Sequence, residues 1–220
     1  MTPDELIASY PVLHHMAERD AWPGIHELGL RTTTQLVDAC HVDRRTRSAI
    51  LAQRRPESVD LDHPEVGRIT VRDQKPLGLH NLKLTDVTLE GFLELLNTRV
   101  FMWTSPERLN GLLGARPYRN SVHDVLVLDT QSIVETYPRT IRLTAMNTGA
   151  TIFPNAPPRG AESFMTIEEF PFEQRRRLGK KPQDNVVELC VIGGVDNVED
   201  HLLRVERRKG AEVLDTLNDH

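Results

Sequence analysis

Cysteine is nearly absent: the 220 residues hold two, Cys40 and Cys190, far apart and in no Cys-x-x-Cys or Cys/His spacing. That excludes a disulfide scaffold, and both residues sit among apolar neighbours, where a free cysteine behaves as a small buried hydrophobe. Long apolar runs are missing as well; no stretch approaches the roughly 20 residues that a membrane span needs. Met1 to Tyr10 carries Asp4 and Glu5 and no apolar run, so no signal peptide is expected there. The expectation is a reduced, soluble, cytoplasmic protein that does not engage a membrane. Charge of one sign is lacking too. With 27 Lys+Arg against 32 Asp+Glu the net charge is −5, so a nucleic-acid contact has to rest on a local basic patch. None of the nine histidines forms a His-x-x-x-His or His-Glu-x-x-His unit, which argues against a zinc hydrolase and leaves no metal site in view. There is no Walker A loop, no Gly-x-Gly-x-x-Gly, no Gly-x-Ser-x-Gly and no kinase motif.

What is present suffices for one domain over residues 1–220. Hydrophobic residues make up 39% of the chain, enough for a real core at this length. Helix starts come early. Thr2-Pro3-x-Glu5 and Thr32-x-x-Gln35 have the form of capping boxes, Asp43 is placed to cap a basic helix over Arg44 to Arg54, and Ser105-Pro106 opens another. Leu89, Phe92, Leu93 and Leu96 recur at helical spacing. Strands are expected at Val12 to Met16, Arg99 to Thr104, Val122 to Leu128, Thr140 to Thr144 and Val186 to Ile192, with Leu202 to Arg207 as an edge strand. Residues 56–84 hold three prolines and two glycines and read as a long loop or insertion, with only Arg68 to Arg72 extended. Short helices followed by strands without regular crossovers favour an α+β fold over a doubly wound one.

Four features carry candidate chemistry. Glu188 is the only charge in the Val186–Ile192 strand, which is apolar on both faces, so its carboxylate must be paired or must face a polar cleft. A structural ion pair with an arginine and a catalytic carboxylate both satisfy that condition. His14 and His15 are adjacent on a strand and therefore point to opposite faces, one inward and one toward solvent. Arg99 begins an aromatic strand, where its planar fork suits a phosphate or serves as an exposed end-cap. Two basic clusters, Arg175 to Lys181 and Arg204 to Lys209, flank Glu188 in sequence and are either solvated faces or a path for a nucleic-acid strand.

Leu13-His14-His15-Met16-Ala17 followed by Ile25-His26-Glu27-Leu28-Gly29-Leu30 resembles the N-terminal signature of ADP-ribosyltransferase-fold proteins. It is similar to that of DarT-type DNA ADP-ribosyltransferase toxins and of a bacterial branch near them. Arg99-Val-Phe-Met-Trp103, Asn147-Thr148-Gly149 and a late-strand Glu188 continue the resemblance in order, with His14 and Ala17 where those proteins carry tyrosine and threonine. The resemblance implies an α+β fold with two small facing β-sheets around an NAD cleft and helices outside. It implies ADP-ribose transfer from NAD, as co-substrate, to a macromolecular acceptor such as single-stranded DNA or RNA, with an antitoxin as partner. Glu188 and Arg99 would be catalytic; His15, Trp103 and Asn147 would hold the cofactor. Two alternatives stand beside it. One is a degenerate nucleotide- or nucleic-acid-binding protein, which Ala17 favours. The other is an RNA 2′-phosphotransferase-like enzyme on the same fold, which needs more phosphate-gripping arginines.

Overall fold

The computed structural model describes residues 1–219. Helix α1 (Pro3–Ser9) starts at a reciprocal cap: Thr2 Oγ1 accepts from the Glu5 amide at 3.2 Å, and Glu5 Oε2 accepts from the Thr2 amide at 2.7 Å. Strand β1 (Val12–Glu18) follows, then α2 (Trp22–Leu28), which stops at Gly29 with φ of 80°. Only glycine serves there, since a Cβ would lie 2.6 Å from the Val195 carbonyl oxygen. Thr32 and Gln35 repeat the reciprocal cap at the head of α3 (Thr33–Ala39), and Asp43 caps α4 (Arg44–Leu51).

Residues 56–84 are more ordered than the sequence suggests. They form an antiparallel hairpin, β2 (Val59–His63) and β3 (Gly67–Val71), and one turn of 3-10 helix at Leu79–Asn81. The strand at Val59 is hidden in the sequence by Asp60 and Asp62, residues that strands disfavour. Asp60 instead accepts from Arg68 and Thr70 of the facing strand, on the face opposite Leu61. Leu61 and Val71 turn inward to meet Val37 of α3 and Ile50 of α4 in a small core of their own.

The rest of the chain supplies α5 (Leu89–Asn97), β4 (Arg99–Trp103), α6 (Pro106–Leu113), β5 (Val122–Asp129), α7 (Thr130–Thr136) and β6 (Ile141–Thr144). After a long irregular stretch come α8 (Phe172–Arg177), α9 (Pro182–Asn185), β7 (Glu188–Ile192), β8 (Leu202–Lys209) and β9 (Glu212–Asp219). The fold is α+β. Where two facing sheets were expected, the strands join into one antiparallel seven-stranded sheet of order β6-β7-β4-β1-β5-β8-β9, and the hairpin is the other sheet. The long sheet nevertheless has a seam. Strand β1 pairs with β5 along its whole length, from Val12↔Asp129 to Glu18↔His123, but meets β4 only at His14↔Trp103.

Strand β8 is not the edge: β9 pairs along it, the two joined through Gly210 at φ of 58°. The main core lies on one side of the long sheet, where Leu13, Leu126, Val100, Met102, Leu189 and Val191 meet α1 and α7. On the other side Met16, Val125 and Val127 pack with Leu109 and Leu113 of α6. Among the described residues, no helix is long and apolar enough to cross a membrane. Both cysteines are free.

Candidate active site

A cavity of about 730 Å³ opens along the seam. Its walls come from β1, the β2–β3 hairpin, the start of α2, the β4 strand and the turn at 147–149. His15, Arg99, Trp103, Asn147 and Glu188 all line it. The volume falls in the range of roughly 300–1,000 Å³ typical of small-molecule sites.

Glu188 is the first residue of β7 and pairs with Trp103 on one side and Thr144 on the other. Directly opposed residues share a face, so Trp103, Glu188 and Thr144 form a row across three strands. Glu188 is 4% exposed and has no cation within 4.0 Å among the described residues, so the ion-pair explanation of this buried carboxylate does not hold. It is held by neutral donors instead. Its Oε2 accepts from the Thr148 amide at 3.1 Å and the Thr148 hydroxyl at 2.9 Å. The Thr144 hydroxyl lies 3.1 Å away but also 2.7 Å from the Met146 carbonyl oxygen, and its single proton cannot serve both. Burial pushes the Glu188 carboxyl up to about 7, against the pull of the Thr148 and Thr144 donors and of Arg159.

His15 reaches across the seam. Its Nδ1 lies 2.8 Å from the Phe101 carbonyl oxygen, which can only accept, so Nδ1 carries the proton and Nε2 of the neutral ring is an acceptor. Burial, opposed by the Phe101 hydrogen bond, lowers its pKa to about 4, and it is neutral at pH 7. His14, on the opposite face of β1, is buried where His15 is half-buried, and burial lowers its pKa to about 4 as well. Neither histidine of the pair faces solvent freely.

Arg99 donates through Nη1 to the Leu95 carbonyl at 2.7 Å and to Thr98 Oγ1 at 3.1 Å, and its guanidinium lies 4.7 Å from the centre of the Phe164 ring. Its Nε is buried without a partner. It is therefore neither an exposed end-cap nor an ion-pair member. Trp103 serves two purposes, packing with Leu109, Leu113 and Val187 while also lining the cavity. Asn147 contributes its backbone oxygen to an internal turn and lines the mouth beside Thr148 and Gly149.

Several residues around Glu188 and the cavity escaped sequence reasoning. Thr144 and Thr148 had no signal beyond the Asn147-Thr148-Gly149 motif. Arg19, Arg31, Arg55, Arg68 and Arg72 line the same cavity. Of these, Arg19, Arg31, Arg68 and Arg72 are each paired with an acid: Asp20, Asp196, Asp60 and Glu18. Arg55 is 6% exposed and donates to the Arg72 and Ile50 carbonyls and to Asn97 Oδ1. Of the basic clusters, the arginines of the second are paired locally, Arg204 and Arg208 with Glu206 and Arg207 with Asp124 and Asp20, while Lys209 is exposed. In the first, Arg176 pairs with Glu173 and Arg175 donates to backbone carbonyls, while Arg177, Lys180 and Lys181 are exposed. No group of three or more His, Cys, Asp or Glu is arranged to hold a metal ion among the described residues.

A family profile described as a family of unknown function (DUF7002) matches residues 11–202. No curated protein and no solved structure matches the chain.

Proposed function

The chain belongs to DUF7002, and from the cleft that the matched residues 11–202 build, we propose that it transfers ADP-ribose from NAD to a macromolecular acceptor. The observation that carries this reading is one cavity lined both by a buried, ion-pair-free Glu188 and by a neutral His15 whose Nε2 is an acceptor. The residues suit the co-substrate. Phe101 and Trp103 offer flat apolar walls for a nicotinamide ring. Arg99 is a cavity cation with no acid within 4.0 Å among the described residues, and it suits a diphosphate. His15 Nε2 suits a ribose hydroxyl as donor.

The chemistry is that of glycosidic cleavage. The bond from ribose C1′ to nicotinamide breaks, the electron pair leaves with nicotinamide and cancels its positive charge, and C1′ passes through an oxocarbenium-like state. Ionised Glu188 stabilises that cation and then takes the proton of the acceptor nucleophile as its new bond to C1′ forms. The phosphotransferase-like alternative asks for several free arginines, and four of the six in the cavity are committed to acids.

The test is incubation of the protein with NAD labelled in its adenylate half and, in separate arms, single-stranded DNA, RNA and a protein mixture. Label bound covalently to one acceptor class is the expected result. Tight NAD binding with no transfer in any arm would move the protein to the non-catalytic alternative, and no binding at all would remove NAD from the account.

A further inference from the structure

Arg159 is 2% exposed, and no carboxylate lies within 4.0 Å of it among the described residues. A guanidinium buried without an ion partner is costly unless its donors are satisfied. Here they are satisfied by one segment of backbone. Nε donates to the Thr148 carbonyl at 3.0 Å, and Nη2 donates to the Asn147 carbonyl at 3.0 Å and to the Ala150 carbonyl at 2.6 Å. Nη1 donates to the Pro157 carbonyl. The planar fork thus gathers three of the four carbonyls of the 147–150 turn onto one rigid group.

The backbone of Arg159 is fixed from outside. Its amide donates to the Lys83 carbonyl at 2.8 Å, and its own carbonyl accepts from the Thr85 amide at 3.1 Å. Gly160 next to it lies so close to Asp86 that a Cβ would overlap the Asp86 carboxylate. The far side of the turn is tied too, Thr151 donating through its amide to the Pro76 carbonyl and through its hydroxyl to the Gly78 carbonyl, each at 2.9 Å. The turn held in this way presents the two Thr148 donors to Glu188 Oε2.

We propose that Arg159 is a positioning residue for Glu188, acting through the 147–150 turn and not by direct contact. The proposal rests on the transferase reading for its consequence in catalysis, but not for its geometry. With the fork removed, the turn relaxes and the Thr148 donors leave the carboxylate. Those donors favour the ionised form, so losing them leaves Glu188 harder to ionise.

The experiment is a pH titration of the Glu188 carboxyl by infrared difference spectroscopy against Glu188→Gln, in the parent and in Arg159→Met, Arg159→Lys and Thr148→Val. Thr148→Val keeps the side-chain shape and removes only the hydroxyl. The expected midpoint moves upward by about one pH unit in Thr148→Val, in line with one lost hydrogen bond to a buried carboxylate. Arg159→Met moves it at least as far. Arg159→Lys does the same, because an ammonium keeps the charge but cannot span carbonyls on both sides of the turn. Where transfer activity is measurable, the acidic limb of its pH profile moves with the midpoint.

An unchanged midpoint in Thr148→Val, or in a folded Arg159→Met, overturns the proposal. Full rescue by Arg159→Lys also overturns it, since bare charge would then suffice. Should Arg159→Met not fold, Thr148→Val still decides. If the parent releases no nicotinamide from NAD, the transferase reading fails, while the infrared midpoints still judge Arg159.

Discussion

At the scale of the residue, Glu188 carries an energetic cost that its neighbours only partly offset. Its carboxyl titrates near 7 in the fold against an ordinary 4.5, because burial penalises the charged form. A raised carboxyl pKa means that the folded state holds a proton the unfolded chain has already lost. Stability from this group is therefore fully present below about 4.5 and falls as pH rises through about 7, by roughly 3 kcal/mol in all. Gln carries no such penalty, and no arginine is left unpaired by the change. Glu188→Gln is thus expected to be as stable as the parent, or more so, at pH 8, as measured by urea unfolding. A loss of about 3 kcal/mol or more there would restore the ion-pair explanation. The sequence made Glu188 visible because a lone charge in an apolar strand needs a reason. It could not show Thr148 or Arg159, whose roles depend on a loop that lies well ahead of the strand it serves and folds back against it.

At the scale of the element, the seam between β1 and β4 is where the sheet is weakest and where the cavity forms. One bridged pair and the His15–Phe101 hydrogen bond join the halves, against seven residue pairs between β1 and β5. His15→Ala removes the side-chain link. Amide hydrogen exchange in Arg99–Trp103 is expected to speed up by about tenfold or more, while the amides of Val122–Asp129 keep their protection. Equal acceleration in both strands would mean that His15 supports the domain generally and not the seam. Caps and apolar strands were legible because they are local: Thr2, Thr32, Asp43 and Ser105 cap as their spacing implies. Strand β3 was legible too, at Arg68 to Arg72, but β2 and β9 were not. Asp60, Asp62 and Asp215 mask their alternation, and their partners are supplied by cross-strand pairing that composition does not reveal.

At the scale of the whole molecule, acid should unfold the protein through its histidines. His14 and His15 are each held neutral down to about 4 by burial, well below the 6.5 of a free imidazole. A lowered histidine pKa means that the unfolded chain takes up protons the fold refuses. Their contribution is present above about 6.5 and is lost as pH falls toward 4, and the two together outweigh the opposite trend of Glu188. The melting temperature is expected to fall steadily from pH 6.5 to 4.5; a flat profile would show that these rings are not enclosed as the fold implies. NAD should raise the melting temperature, since a ligand bound only by the folded state at about 100 times its Kd adds roughly 2.7 kcal/mol. Binding alone does not separate a transferase from a nucleotide receptor, whereas bond cleavage does. The decisive quantity is nicotinamide released from NAD over time by the parent and by Glu188→Gln in the presence of acceptor. Steady release by the parent is expected, cut by about 10² or more in the variant with NAD affinity little changed, because the lost charge acts mainly in the transition state. Equal release by both proteins would contradict the assignment of Glu188, and none from either would contradict the transfer of ADP-ribose itself.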